Sequence, residues 1–180
     1  MTFEDEQLEI LRLSDELETQ KGRSWYKFKG DVINRIIIYY LTHHIDTKYF
    51  KVIGPGSYIQ GYPIEFDILI VDKVARPQPL TNAFEKDKVK LMIEVKKHGF
   101  FFSSAKFDAS IRAYLDEFKS VGTPFLYITI KESRRVHDLT VKYCGDISTF
   151  LRIGNNAPIP GAWEKFISAV QTFLPGGRRT

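Results

Sequence analysis

Two apolar runs, Ile64-Glu65-Phe66-Asp67-Ile68-Leu69-Ile70-Val71 and Leu91-Met92-Ile93-Glu94-Val95-Lys96, carry charge where a buried strand should carry none. β-branched and aromatic residues dominate both runs, and that composition predicts strands. An ionised carboxylate inside a sheet costs roughly several kcal/mol unless a metal ion or a partner charge compensates it. Asp67, Glu94 and Lys96 are therefore the residues that any fold of this chain must accommodate.

Strand geometry sharpens the point. Side chains alternate, so Glu94 and Lys96 share one face and Val95 takes the other. At about 3.3 Å rise per residue their Cβ atoms stand roughly 6–7 Å apart, which admits a cation at the carboxylate and a water beside the ammonium. Asp67 reaches the same cation if the two strands are neighbours. Two carboxylates and waters suit a hard, oxygen-preferring ion such as Mg²⁺. The bare acid-x-Lys pattern is weak, because Asp46-Thr47-Lys48 and Glu117-Phe118-Lys119 repeat it. Asp46 and Lys48 fall in a polar loop, and an i, i+2 pair in a helical pattern diverges. Only Glu94-Val95-Lys96 lies in an apolar strand with a second acid in a strand upstream.

An Asp in one strand, followed after a loop by Glu-x-Lys in the next, resembles the PD-(D/E)XK nuclease superfamily. Phe66 stands where the family pattern has Pro. The resemblance extends to the core order of helix, three strands, helix and strand. It implies an α/β protein with a restriction-endonuclease-like three-layer core: a central mixed β-sheet flanked by helices in α-β-β-β-α-β order, with extra N- and C-terminal helices. It implies a metal-dependent hydrolase of phosphodiester bonds, with DNA as the partner and endonucleolytic cutting as the first reading. Asp67 and Glu94 would hold Mg²⁺ (Mn²⁺ substituting), with the Val95 backbone carbonyl as a further ligand. Lys96 would hold the attacking water and stabilise charge in the transition state. The first core helix of such folds often adds an acid. Asp31 is the one available there, its other reading being a helix N-cap. Alanine at Asp67, Glu94 or Lys96 is expected to abolish cleavage and leave the fold. Two alternatives stay open: a catalytically silent nuclease-like module that binds nucleic acid or protein, and an unrelated α/β protein in which Lys96 pairs with Asp67 or Glu94.

The 180 residues fit a single domain, with 43% hydrophobic and 14% aromatic residues arguing against disorder. No apolar run approaches the roughly 18 residues of a membrane span. The lone Cys144 permits no internal disulfide. The expectation is a soluble cytoplasmic protein. The net charge of +4 conceals an asymmetry: residues 1–20 hold seven acids and one base, so the remainder carries +10. A basic body suits a polyanion such as DNA.

Phe3 to Glu18 reads as a helix with Ile10, Leu13 and Leu17 inward, either packed on the body or serving as a homodimer arm. Trp25, Tyr26 and Phe28 alternate with Lys27 and Lys29, as core packing or as stacking surfaces. Asp31 to His44 reads as an amphipathic helix with Ile33, Ile36, Ile37, Tyr40 and Leu41 on one stripe; His43 and His44 mark its end. Tyr49–Ile53 reads as a strand. Gly54-Pro55-Gly56-Ser57 reads as a turn between strands, or as a phosphate cradle lacking the P-loop ending. Glu65 reads as a strand-end charge or an accessory ligand. Residues 72 to 88 read as a long surface loop with Pro77, Pro79 and Asn82. His98 lies beyond the strand end, and Phe100, Phe101 and Phe102 pack beneath a flanking element. Ala105 to Lys119 reads as a second helix, Pro124–Ile130 as a last buried strand, and Ala162–Leu174 as a closing helix with Trp163, Phe166, Ile167, Val170 and Leu174 inward. Candidate nucleic-acid contacts are Lys97, Lys106, Arg112, Ser57 and Gln60.

Overall fold

A computed structural model describes residues 1–19, 25–98, 116–117, 119–131, 148–150 and 158–174, with the backbone alone at 18, 25–29, 96–98, 127, 129, 131 and 148–150. The chain is a mixed α/β protein built on two sheets. Three helices are described: α1 (Phe3–Thr19), α2 (Trp25–His43) and α3 (Ala162–Phe173). The strands are β1 (Phe50–Ile53), β2 (Ser57–Ile59), β3 (Tyr62–Phe66), β4 (Ile68–Asp72), β5 (Ala83–Phe84), β6 (Val89–His98), β7 (Phe125–Lys131) and β8 (Ser148–Phe150). No described helix is long and apolar enough to cross a membrane.

The larger sheet runs β1-β4-β6-β7-β8. Pairings β1/β4 and β4/β6 are antiparallel, whereas β6/β7 and β7/β8 are parallel. Alternation along its strands sorts the side chains into two buried layers. Ile68, Ile70, Leu91, Ile93, Val95, Leu126, Ile128 and Ile130 face the helices, where they meet Ile33, Ile37 and Leu41 of α2 and Trp163, Phe166 and Val170 of α3. Leu69, Val71 and Met92 face the other way, against Ile59, Phe66 and Phe84 of the smaller sheet, β3-β2-β5. One register slip serves this sorting: Ile70 pairs with Leu91 but Val71 with Val89, so Lys90 is bulged out. Val89 thereby joins the second layer, and Lys90 reaches Asp72 at 3.0 Å.

Flanking helices are thus found on one face. On the other, the described residues place the small sheet. Of the helix expected over 105–119, Asp116, Glu117 and Lys119 are helical and the remainder lies outside the described residues. Phe100, Phe101, Phe102, Cys144 and the loop around Asn155 also lie outside them.

Three expectations need correction. The run Ile64–Val71 is two strands in two different sheets, with a bend at Asp67 between them. Phe66 enters the small-sheet core and Ile68 the helix-side core, so the chain must turn between them. Helix α2 starts at Trp25, which places Asp31 seventh in the helix and rules out the N-cap reading. Gly30 costs about 1 kcal/mol within a helix, a penalty that the packing of the following isoleucines offsets. The long loop contains a short strand, β5, which adds to β2 in parallel.

The N-terminal helix belongs to the core. Thr2 and Asp5 form a reciprocal capping box, with Thr2 N–H donating to Asp5 (2.8 Å) and Asp5 N–H to Thr2 Oγ1 (3.1 Å). Ile10, Leu11 and Leu17 are buried against α2 and α3. Glu6, 4% exposed, accepts from the Trp163 indole N–H at 2.7 Å and lies 2.6 Å from His44 Nε2. The acid-rich helix is therefore pinned to α3 by the buried Glu6 carboxylate. Gly54 has a packing reason: a Cβ there would lie 2.8 Å from Ile38 Cδ1, so β1 ends directly beneath α2.

Candidate active site

Strands β4 and β6 lie side by side, and Ile68 is paired with Ile93. One step further along the antiparallel register brings Asp67 opposite Glu94. At this step β4 has ended, and the ladder is completed by a side chain. Met92 N–H donates to Pro124 on the β7 side, so alternation turns Val95 N–H towards β4. Asp67 Oδ2 accepts that N–H at 2.9 Å. The bend that removes Asp67 from the ladder is what allows its carboxylate to take the place of a ladder carbonyl.

The other oxygen is held from the helix layer. Asn34 of α2, 4% exposed, donates from Nδ2 to Asp67 Oδ1 at 3.0 Å. Both carboxylate oxygens therefore have a donor, one from β6 and one from α2. Glu94 is 3% exposed, flanked along β6 by buried Ile93 and Val95 and paired across the sheet with Tyr127. Burial on that scale is unusual for a glutamate.

Lys96 lies two residues further along β6, where its backbone pairs with Thr129; its side chain lies outside the described residues. The same holds for the side chains of Lys97 and His98, while Lys106 and Arg112 lie wholly outside. Asp31 is half-buried, one helical turn before Asn34 and so on the same side of α2. Glu65 is exposed in the small sheet, where the Tyr58 hydroxyl reaches it at 3.4 Å, in keeping with a strand-end charge. Ser57 is buried, its hydroxyl donating to the Gly54 carbonyl at 2.7 Å, so it stitches the turn and presents no group to solvent. Gln60 is half-exposed and borders an open cleft with Lys86, Lys90 and Thr123.

The donor set suits a hard divalent cation. Two carboxylates on neighbouring strands, supplemented by a backbone carbonyl and waters, are what Mg²⁺ accepts. Among the described residues no group of three or more His, Cys, Asp or Glu comes together.

Asn34 is the residue that sequence reasoning passed over. Its signal was an amide of modest helix propensity among Ile33, Ile36 and Ile37. A polar group on the margin of an apolar stripe needs a buried partner.

No family model matches this chain, and neither the curated proteins nor the solved structures contain a significant match.

Proposed function

We propose that this chain is a metal-dependent nuclease with a restriction-endonuclease-like core, hydrolysing phosphodiester bonds in DNA. The observation that carries the reading is the seating of Asp67 against the backbone of the Glu94–Val95 strand. That contact sets the end of the Asp67 strand beside the Glu94–Val95 backbone, where β4 ends next to β6. With the small-sheet strands set aside, the order α2, β1, β4, β6, helical residues at 116–117 and 119–120, and β7 is consistent with the α-β-β-β-α-β core.

In this reading Asp67 and Glu94 hold Mg²⁺, with the Val95 carbonyl and Asp31 as further candidates. The bound cation supplies Lewis acidity and a lowered pKa for the attacking water. Lys96 holds that water and stabilises negative charge on the phosphate as the leaving oxygen departs; its compact ammonium suits both tasks. The basic body, +10 outside the first 20 residues, draws the polyanion in. A homodimer would allow cuts in both strands.

A second reading, a nuclease-like module that binds without cutting, draws on the same geometry. Both Asp67 oxygens already have protein donors, which is also what a purely structural carboxylate would have. Cleavage assays separate the two. Supercoiled and linear DNA incubated with Mg²⁺ or Mn²⁺ should be cut by the wild type. Asp67→Asn, Glu94→Gln and Lys96→Ala should each reduce the rate by at least about 100-fold, in line with losing a principal electrostatic group. Undiminished cutting by all three folded variants overturns the assignment.

A further inference from the structure

Leu80 sits in a conformation that its side chain disfavours, at a position where that side chain touches no core. Its φ is 73°, in the left-handed region where a Cβ is penalised. It follows Pro79 in a turn over residues 79–81, and Gly or Asn is the ordinary occupant after a proline in a turn of positive φ. The leucine is fully exposed and belongs to neither buried cluster. Backbone strain at an apolar residue that the fold does not use points to a role in contact with something outside the chain.

The loop presents this residue preformed. Gln78 N–H donates to the Ala83 carbonyl at 2.8 Å and closes the loop at its base. Asn82, at φ 50°, donates from Nδ2 to the Gly56 carbonyl at 2.8 Å and reaches Ser57 Oγ at 3.3 Å. Tyr58 N–H donates to the Asn82 carbonyl at 3.1 Å. Pro77 and Pro79 fix two further φ angles.

Register places the loop at the end of the small sheet that leads into the candidate site. Ser57 pairs with Phe66, the residue before Asp67, and Tyr58 pairs with Ala83, so Asn82 is level with Ser57. The order β3-β2-β5 spans two strand spacings, which sets Asn82 roughly 10 Å from Phe66. Residues 73–84 contain Lys73 and Arg76 and no acid, and residues 54–64 carry no charge. Neither segment repels phosphates, and the two bases favour them.

We propose that Leu80 is an apolar wedge that enters a DNA groove and inserts between base steps a few base pairs from the phosphate at Asp67 and Glu94. This rests on the nuclease reading above and adds a mode of substrate engagement to it. Leucine is among the side chains that unstack a base step and bend the duplex in this way.

The test compares the full-length wild type, Leu80→Asn and Leu80→Met for binding to a fluorescein-labelled DNA duplex in EDTA at low salt. A second duplex carrying 2-aminopurine reports unstacking, and thermal melts are run in parallel. Leu80→Asn should melt no lower than the wild type, because Asn tolerates the left-handed region. Its DNA affinity should fall about 10- to 100-fold, the loss expected when a leucine is no longer buried. Wild type and Leu80→Met should both brighten 2-aminopurine, and Leu80→Asn should not. Equal DNA affinity in wild type and Leu80→Asn overturns the wedge and leaves the nuclease reading standing. Wild-type binding without 2-aminopurine brightening also overturns the wedge. A dimer of the wild type, seen by sedimentation and abolished in Leu80→Asn, assigns the loop to a second copy of the chain and overturns it too. Wild-type protein that binds no duplex overturns the nuclease reading and the wedge together.

Discussion

Replacing Asp67 by alanine should damage the fold as well as the chemistry, contrary to the expectation drawn from the sequence alone. The side chain accepts hydrogen bonds from Val95 N–H at 2.9 Å and Asn34 Nδ2 at 3.0 Å, and the residues that donate them are 7% and 4% exposed. Hydrogen bonds to a charged group contribute about 1.5–3 kcal/mol each, and a buried donor left without an acceptor bears its desolvation cost. Asp67 itself is only half-buried, so water recovers part of the loss. The net cost of Asp67→Ala is about 2–4 kcal/mol, set against a total stability of about 5–15 kcal/mol for a domain. At about 2–4 °C per kcal/mol for a chain of this size, the melting temperature falls by about 4–16 °C. Asp67→Asn keeps one carbonyl acceptor of the same shape and should lose only about 1–2 kcal/mol. Urea denaturation read by tryptophan fluorescence gives both values from the shift in midpoint at constant slope. A cost below about 1 kcal/mol for Asp67→Ala would show that the two bonds do not hold the bend, and the account of the site's geometry would fail. The practical consequence is that Asp67→Asn, and not the alanine variant, is the informative substitution for activity.

Other outcomes follow from the helix layer. Glu6→Ala removes the acceptor of the fully buried Trp163 indole N–H and the partner of His44; it should destabilise by about 2–4 kcal/mol, read from the urea midpoint. A Glu6→Ala protein as stable as wild type would show that α1 is held by its apolar face alone. Hydrogen bonds from the Thr2 backbone, and secondarily the Thr2 side chain, hold Asp5 below its ordinary pKa. The capping contribution is therefore complete above the unfolded aspartate value of about 3.9 and is lost as the pH falls through the lower folded value. The difference in helicity between wild type and Asp5→Asn, followed by circular dichroism, should close as the pH drops below about 3.9. Gly54→Ala would set a Cβ 2.8 Å from Ile38 Cδ1, the far end of a side chain that can turn aside, so thermal melts should show only a small shift.

The closing helix was fully legible: Trp163, Phe166, Ile167, Val170 and Leu174 stand at helical spacing and all are buried. Spacing of that kind reports burial directly. The Asp67 strand was half legible. Its composition reads as one strand from Ile64 to Val71, because a change of sheet leaves no mark when both halves are β-branched and apolar. The polar interruption at Asp67 was the available sign, and it served to nominate the residue without revealing the bend. The start of α2 was missed because Trp25–Lys29 read as core packing or stacking surfaces and the helix was begun at Asp31, one place after Gly30. Propensity is a weak prior, and the tertiary packing of Ile33, Ile37 and Leu41 overrode it. The pairing of the Asp67 strand with the Glu94 strand, on which the sequence reading made a shared site conditional, is found in the larger sheet. The amide on α2 was not anticipated, since an i, i+33 contact has no local signature.

The account turns on whether Glu94 and Asp67 hold a divalent cation. Isothermal titration calorimetry of Mg²⁺ and Mn²⁺ into the wild type and Glu94→Gln, each with and without a DNA duplex, addresses this most directly. The account predicts saturable binding by the wild type that is lost in Glu94→Gln while the urea midpoint shows the variant folded. Wild-type protein that binds neither ion even with DNA present, or a folded variant that binds as well as the wild type, would contradict it.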